Sequence, residues 1–133
     1  MKAPGMETMV EISISEEPVP LAPALASGVW GADLAFLGRV RGTEDGRKIS
    51  GIEYTAYQDM ALREVEKIVT AMQAEHGAHP VRIHHCTGFV AAGEPSILIA
   101  VGAKHSAEAF ALCAEYLRRI KETVPVWKRA VVA

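Results

Sequence analysis

The sequence has 133 residues, 50% hydrophobic and 23% charged, with 14 Lys and Arg against 16 Asp and Glu for a formal net charge of −2. That size predicts one domain over residues 1–133 with one core, and the charge excludes the broad basic field of a non-specific nucleic-acid binder, so any anion site must be local. Residues 1–17 carry acids and a proline in place of a cationic segment and a long apolar run, the apolar stretch "SILIAVGA" is strand-sized, and only Cys86 and Cys113 are present, without a Cys-x-x-Cys pair. A secretory signal, a membrane-spanning helix, a disulfide framework and a structural zinc site are all excluded on this reading, and the cytoplasm is the expected compartment.

In chain order, residues 1–10 are expected to be frayed, and "VEISISEEPV" then alternates as a short strand does. "PLAPALAS" reads as a short helix or turn. "GADLAFLGRVRG" reads as a strand with a basic end, placing Leu34, Phe36, Gly38 and Val40 on one face and Ala35, Leu37, Arg39 and Arg41 on the other. The Asp-Gly of "TEDGRK" predicts a hairpin into "ISGIEYTAY", with a loop longer than the tightest type. Over residues 58–76, Ala61, Val65, Ile68 and Met72 recur at helical spacing, and Gly77 stands where a helix stop belongs. "VRIHHC" and "EPSILIAVGA" follow as two strands joined through "TGFVAAG", with Ile97, Ile99 and Val101 lining one face. A last helix begins near Ser106, its predicted cap, with an apolar stripe of Phe110, Cys113, Leu117, Ile120 and Val124; Pro125 ends it. The class is α+β with mostly antiparallel pairing.

Several residues could carry chemistry. Arg39 and Arg41, two apart on a strand, project on the same side and could converge on a phosphate or carboxylate, or simply form a solvated face. His84, His85 and Cys86 are adjacent on a strand and so alternate between faces, with no third ligand at useful spacing, which argues against a metal. His105 lies at a strand-to-helix junction, where backbone amides favour anions, although a surface histidine reads equally well there. Cys86 and Cys113 read as packing residues. The glycine-rich pieces "GRVRG" and "TGFVAAGE" match neither a phosphate loop nor a dinucleotide fingerprint, so no nucleotide cofactor is predicted. Lys121 and Lys128 form the stronger pair. A lysine near a helix C-terminus also answers the helix dipole, and Trp127 could tuck against the core; but Pro125 and Trp127 between the two lysines fix the chain path as a shaped wall.

"GADLAFLGRVRG", "IEYTAYQDMA", "RIHHCTGFVAAGE", "KHSAEAFALCAEYLRRIK" and "VPVWKR" occur in the order seen in the catalytic (large) subunit of molybdopterin synthase, and the chain resembles that family from about residue 11 to 129. The most specific part is the terminal Lys-x-x-x-Pro-x-Trp-Lys signature. The resemblance implies an α/β-hammerhead fold and a homodimer at the centre of a heterotetramer, flanked by two small ubiquitin-like sulfur carriers. In the family, the carrier's Gly-Gly C-terminus, as a thiocarboxylate, enters a pocket of the large subunit. Two sulfurs then pass in succession to cyclic pyranopterin monophosphate, making the molybdopterin dithiolene without a metal or other cofactor.

Carried over by position, the resemblance puts the functional lysines at Lys121 and Lys128, the strand arginine at Arg41 and the histidine at His105; Arg39 and Arg129 are further anion-binding candidates. Substrate phosphate and carrier C-terminus are both anionic, so a dry pocket needs several cations to hold them. Lys121 is expected to move protons, and Lys128 and Arg41 to bind anions. His105 and Lys121 are 16 positions apart on one helix, about 24 Å, so a site that uses both must be composite, built across a two-fold interface. The chain also departs from the family: Ser106 follows His105 where Arg is usual, Cys86-Thr87 replaces Arg-x after His85, and the longer tail that usually adds substrate contacts is not expected after Ala133. These departures leave a divergent, non-catalytic module that docks a ubiquitin-like carrier as the alternative, and a small-anion binder as a weaker one.

Overall fold

The computed structural model describes residues 10–21 and 28–133. The expected frayed start and the expected helix or turn in "PLAPALAS", from residue 22 onward, lie outside the described residues. Among the described residues, eight strands and two helices follow in the order β1 Val10–Ser15, β2 Ala32–Arg39, β3 Thr43–Glu44, β4 Arg47–Ala56, α1 Gln58–His76, β5 Val81–Cys86, β6 Gly88–Ala91, β7 Pro95–Ala103, α2 Ser106–Thr123 and β8 Val126–Val132. They form two sheets. One has the order β1-β5-β7-β2, in which β1 and β5 run parallel and the other neighbours antiparallel. The second runs β3-β4-β6, with β8 also paired to β4, all antiparallel.

Both helices pack against the first sheet. In α1, the apolar spacing buries Ala61, Val65, Ile68, Val69 and Met72, and the helix stops at Gly77, whose φ of 85° suits a residue without a Cβ. Ile83, Ile99 and Val101 from the sheet meet this stripe and that of α2 in the main core. Of the predicted α2 stripe, Cys113 and Ile120 are buried and Leu117 and Val124 pack partly buried against the core, but Phe110 is 64% exposed, and Ala109, Leu112 and Tyr116 complete the buried face. The predicted set also fits a helical period but is centred about a sixth of a turn away. The N-cap is His105, without a side-chain capping bond, and Ser106 begins the helix, which corrects the predicted serine cap.

Further expectations are corrected. Val40, Ile49, Ile52, Cys86 and Val90 form a second small cluster, built on β4 and β6 and closed by the end of β5, where one core was predicted. Val40 therefore leaves the face it shares with Phe36 in the sequence pattern. "TGFVAAG" contains β6, whose approach to β4 requires Gly51: a Cβ there would lie 2.3 Å from the Val90 carbonyl oxygen. The hairpin is β3–β4, with the two-residue loop Asp45-Gly46 at φ 50° and 77°, the tightest type rather than a longer one. Past Pro125 the chain does not merely stop; it forms β8 against β4.

Candidate functional site

The C-terminal end of α2 lies over the gap between the two sheets and closes one side of a cavity of about 490 Å³. Phe36, Ile97, Leu117, Ile120, Val124 and Val126 give it an apolar lining, and Arg39, Tyr54, His85, Ser96, Lys121 and Lys128 supply polar groups. Among the described residues, no Asp or Glu lines it. Such a surface suits a ligand that is part flat and apolar, part anionic.

Local chain geometry explains each placement. Lys121 sits in the last turn of α2; Val124 then turns extended (φ −81°, ψ 125°) ahead of Pro125, while its N–H still donates to the Ile120 carbonyl at 3.1 Å. The chain reverses into β8, whose register sets Lys128 opposite Tyr54. Alternation along β8 brings Val126 and Lys128 to the cavity and sends Trp127 and Arg129 to the other side. Trp127 is 53% exposed and meets Tyr57 edge-on at 5.3 Å, so it is neither a core plug nor a wall of the site, as the sequence had suggested.

In the first sheet, His85 lies opposite Ile97, which lies opposite Gly38. A register shift between Gly38 and Arg39 breaks the alternation of β2, so both residues line the cavity although the sequence pattern puts them on opposite faces. The Arg39 guanidinium donates one hydrogen bond to the Gly93 carbonyl at 2.9 Å and keeps its other N–H groups for a ligand.

Ion pairing sorts the cations of α2. Arg118 is held by Glu115 and Glu122, and Arg119 by Glu115 and Glu75 of α1. Those two arginines hold the Glu115 carboxyl down at about 2. Lys121 and Lys128, by contrast, have no ion-pair partner among the described residues and are exposed, so the dry pocket foreseen from sequence is open on this chain.

The histidines separate as strand alternation requires. His84 is buried, with Nδ1 2.6 Å from Ser13 Oγ and Nε2 2.9 Å from the Glu17 carbonyl. His85 faces the cavity with Nδ1 2.7 Å from the Cys86 carbonyl and its ring edge-on to Tyr54 at 5.2 Å. Burial pushes the His85 imidazole below its ordinary value, partly offset by the bond to that carbonyl, with neighbouring His84 lowering it further. Among the described residues, no group of three or more His, Cys, Asp or Glu is arranged to hold a metal ion.

Of the residues singled out from sequence, Arg39, Lys121 and Lys128 come together in the cavity, whereas Arg41, His105 and Arg129 are not on its wall within one chain. His105 caps the far end of the helix that carries Lys121. Sequence reasoning missed Tyr54, His85 and Ser96 as site residues. Alternation set His85 apart from His84, but which side would face a cavity depended on the pairing of β5 with β7 and the position of β8.

The family model described as "MoaE protein" matches residues 14–123, most of the chain. The chain belongs to the MoaE protein family. That match includes Lys121 and stops short of Lys128. A relative from Pyrococcus abyssi, a molybdopterin synthase catalytic subunit, is 39% identical over 80% of this chain and 72% of its own length. One of the same name from Emericella nidulans is 41% identical over 74% of this chain and 51% of its own length, so the match spans about half of that longer protein. Among solved structures, molybdopterin synthase from Staphylococcus aureus superposes with a TM-score of 0.80 at 27% identity, covering 90% of each chain. The α+β, hammerhead-like architecture implied by the resemblance is therefore the observed one.

Among the described residues, no helix is long and apolar enough to cross a membrane.

Proposed function

We propose that this chain is the catalytic subunit of a molybdopterin synthase, transferring two sulfurs from a thiocarboxylated ubiquitin-like carrier to cyclic pyranopterin monophosphate. The observation that carries this reading is the cavity itself: three cationic side chains, Arg39, Lys121 and Lys128, stand against an apolar lining with no carboxylate, in a chain of the MoaE family. A pterin ring fits the apolar lining, and the substrate phosphate and the carrier C-terminus both need cations.

Lys121 and Lys128 take the roles of proton-transferring and anion-holding residue. Arg39 holds anions at the wall, and Arg41 and Arg129 serve ligand parts beyond it. The cavity is open on one chain, and an entering Gly-Gly tail excludes water from it, which strengthens each charge interaction inside. His105 joins from a second copy, making the working unit a homodimer at the centre of a heterotetramer with two carriers. The cytoplasm, where the precursor and carrier would be met, is the compartment that goes with this reading.

The test combines the chain with a thiocarboxylated carrier and the pterin precursor and measures dithiolene formation. Turnover by the parent chain and a loss of about 100-fold or more in Lys121→Ala are expected. A parent chain that binds carrier without turnover would establish the docking module instead, and unchanged turnover in Lys121→Ala would remove Lys121 from the mechanism.

A further inference from the structure

His85 has no role in the reading so far, yet it lies in the same cavity as Lys121 and Lys128. Its Nδ1 is 2.7 Å from the carbonyl oxygen of Cys86. A carbonyl only accepts, so Nδ1 carries the proton and the neutral ring keeps its lone pair on Nε2. Among the described residues that nitrogen has no hydrogen-bond partner, and the only buried side-chain polar atom there without one is Trp30 Nε1. Nε2 is therefore open, on a residue whose accessible side is the cavity.

We propose that His85 is the general base of this site, complementing Lys121 as its acid; the proposal rests on the synthase reading above. An O–H or N–H bond of the bound substrate breaks, the proton passes to Nε2 and the electron pair stays on the substrate. The Lys121 ammonium gives a proton to the hydroxyl that departs as water, and the His85 imidazolium returns one to the lysine amine. No net proton is gained, and no oxidant or reductant is needed.

The surroundings keep the base neutral. Arg39 from β2, Lys121 from α2 and Lys128 from β8 line the cavity with it, beside Tyr54 from β4, while β7 contributes the uncharged Ser96 and Ile97. Its strand neighbours are His84, turned to the opposite face, and Cys86. Burial opposes protonation, the Cys86 carbonyl offsets this in part and His84 adds to it, and among the described residues no carboxylate on the wall favours it.

The test compares the parent chain with His85→Gln in dithiolene formation with carrier and precursor. Glutamine retains a hydrogen-bond acceptor but cannot take a proton. A fall in kcat of about 100-fold or more, with KM changed only a few-fold, and loss of the acidic limb of the kcat/KM profile below pH ~6.5 are expected. A kcat within a few-fold of the parent, or an acidic limb that persists, would overturn the assignment while leaving the synthase reading intact. Absence of turnover in the parent would overturn both. Nitrogen NMR of the parent chain gives a readout free of the variant's folding: the Nδ1–H tautomer titrating below about 6.5 is expected, and an Nε2–H tautomer or titration at or above that value would overturn the proposal.

Discussion

At the scale of single residues, His79 is a tightly held polar group outside the cavity. Its Nδ1 lies 2.7 Å from the Gly77 carbonyl, and its Nε2 accepts from the Tyr116 hydroxyl, also at 2.7 Å. The Gln73 side chain meets the His79 backbone at both its N–H and its carbonyl. Both rings are buried, and desolvation pushes the imidazole below its ordinary value, with nearby His76 adding to the effect. Tyr116→Phe strands the buried Nε2 and is expected to cost about 1–3 kcal/mol in denaturant unfolding with an unchanged m-value.

The pH dependence follows from the same group. A histidine whose folded value is lowered is neutral in both states above about pH 6.5, and the unfolded chain gains protons first as the pH falls. Stability is therefore expected to decline below that pH, and His79→Gln to flatten the decline; an equal slope in that variant would contradict the burial argument. Cys86 and Cys113 are held high by burial, which fits packing residues.

Among the elements, those specified by local signals were legible in the sequence and those specified by distant partners were not. The bounds of α1 follow from its stripe and from Gly77. The β3–β4 turn follows from Asp45-Gly46, although its tightness was missed because β3 has only two residues to betray the register. Gly46 has φ 77° and nothing within 4 Å of where a Cβ would stand, so Gly46→Ala should lower stability by about 1–2 kcal/mol through backbone strain alone, leaving sulfur transfer unchanged. An unaffected unfolding midpoint would argue against the left-handed turn. The face of α2 was placed about a sixth of a turn off centre because overlapping stripes fit one period, and the choice between them depends on burying Tyr116 beside His79, 37 positions earlier. β8 was invisible for a related reason: "PVWKR" reads as a stop with a tryptophan plug, and only pairing with β4 makes it a strand.

For the whole molecule, two sheets and one helix end bring together Arg39, Lys121 and Lys128 from β2, α2 and β8. The two lysines were legible because they bracket a rigid bend. Arg39 entered through a register shift, and His85 through the pairing of β5 with β7, neither of which leaves a local mark. The 18-residue α2 keeps His105 and Lys121 at opposite ends, so one chain cannot use both at one small ligand. The most direct test of sulfur transfer in a cavity shared by two copies is turnover by mixed dimers of His105→Ala and Lys121→Ala chains. Each variant alone is expected to be nearly inactive, whereas the mixed dimer pairs an intact Lys121 with the partner copy's intact histidine and regains one working site of two. Mixtures no more active than the separate variants, with mixed dimers shown to form, would contradict the shared site.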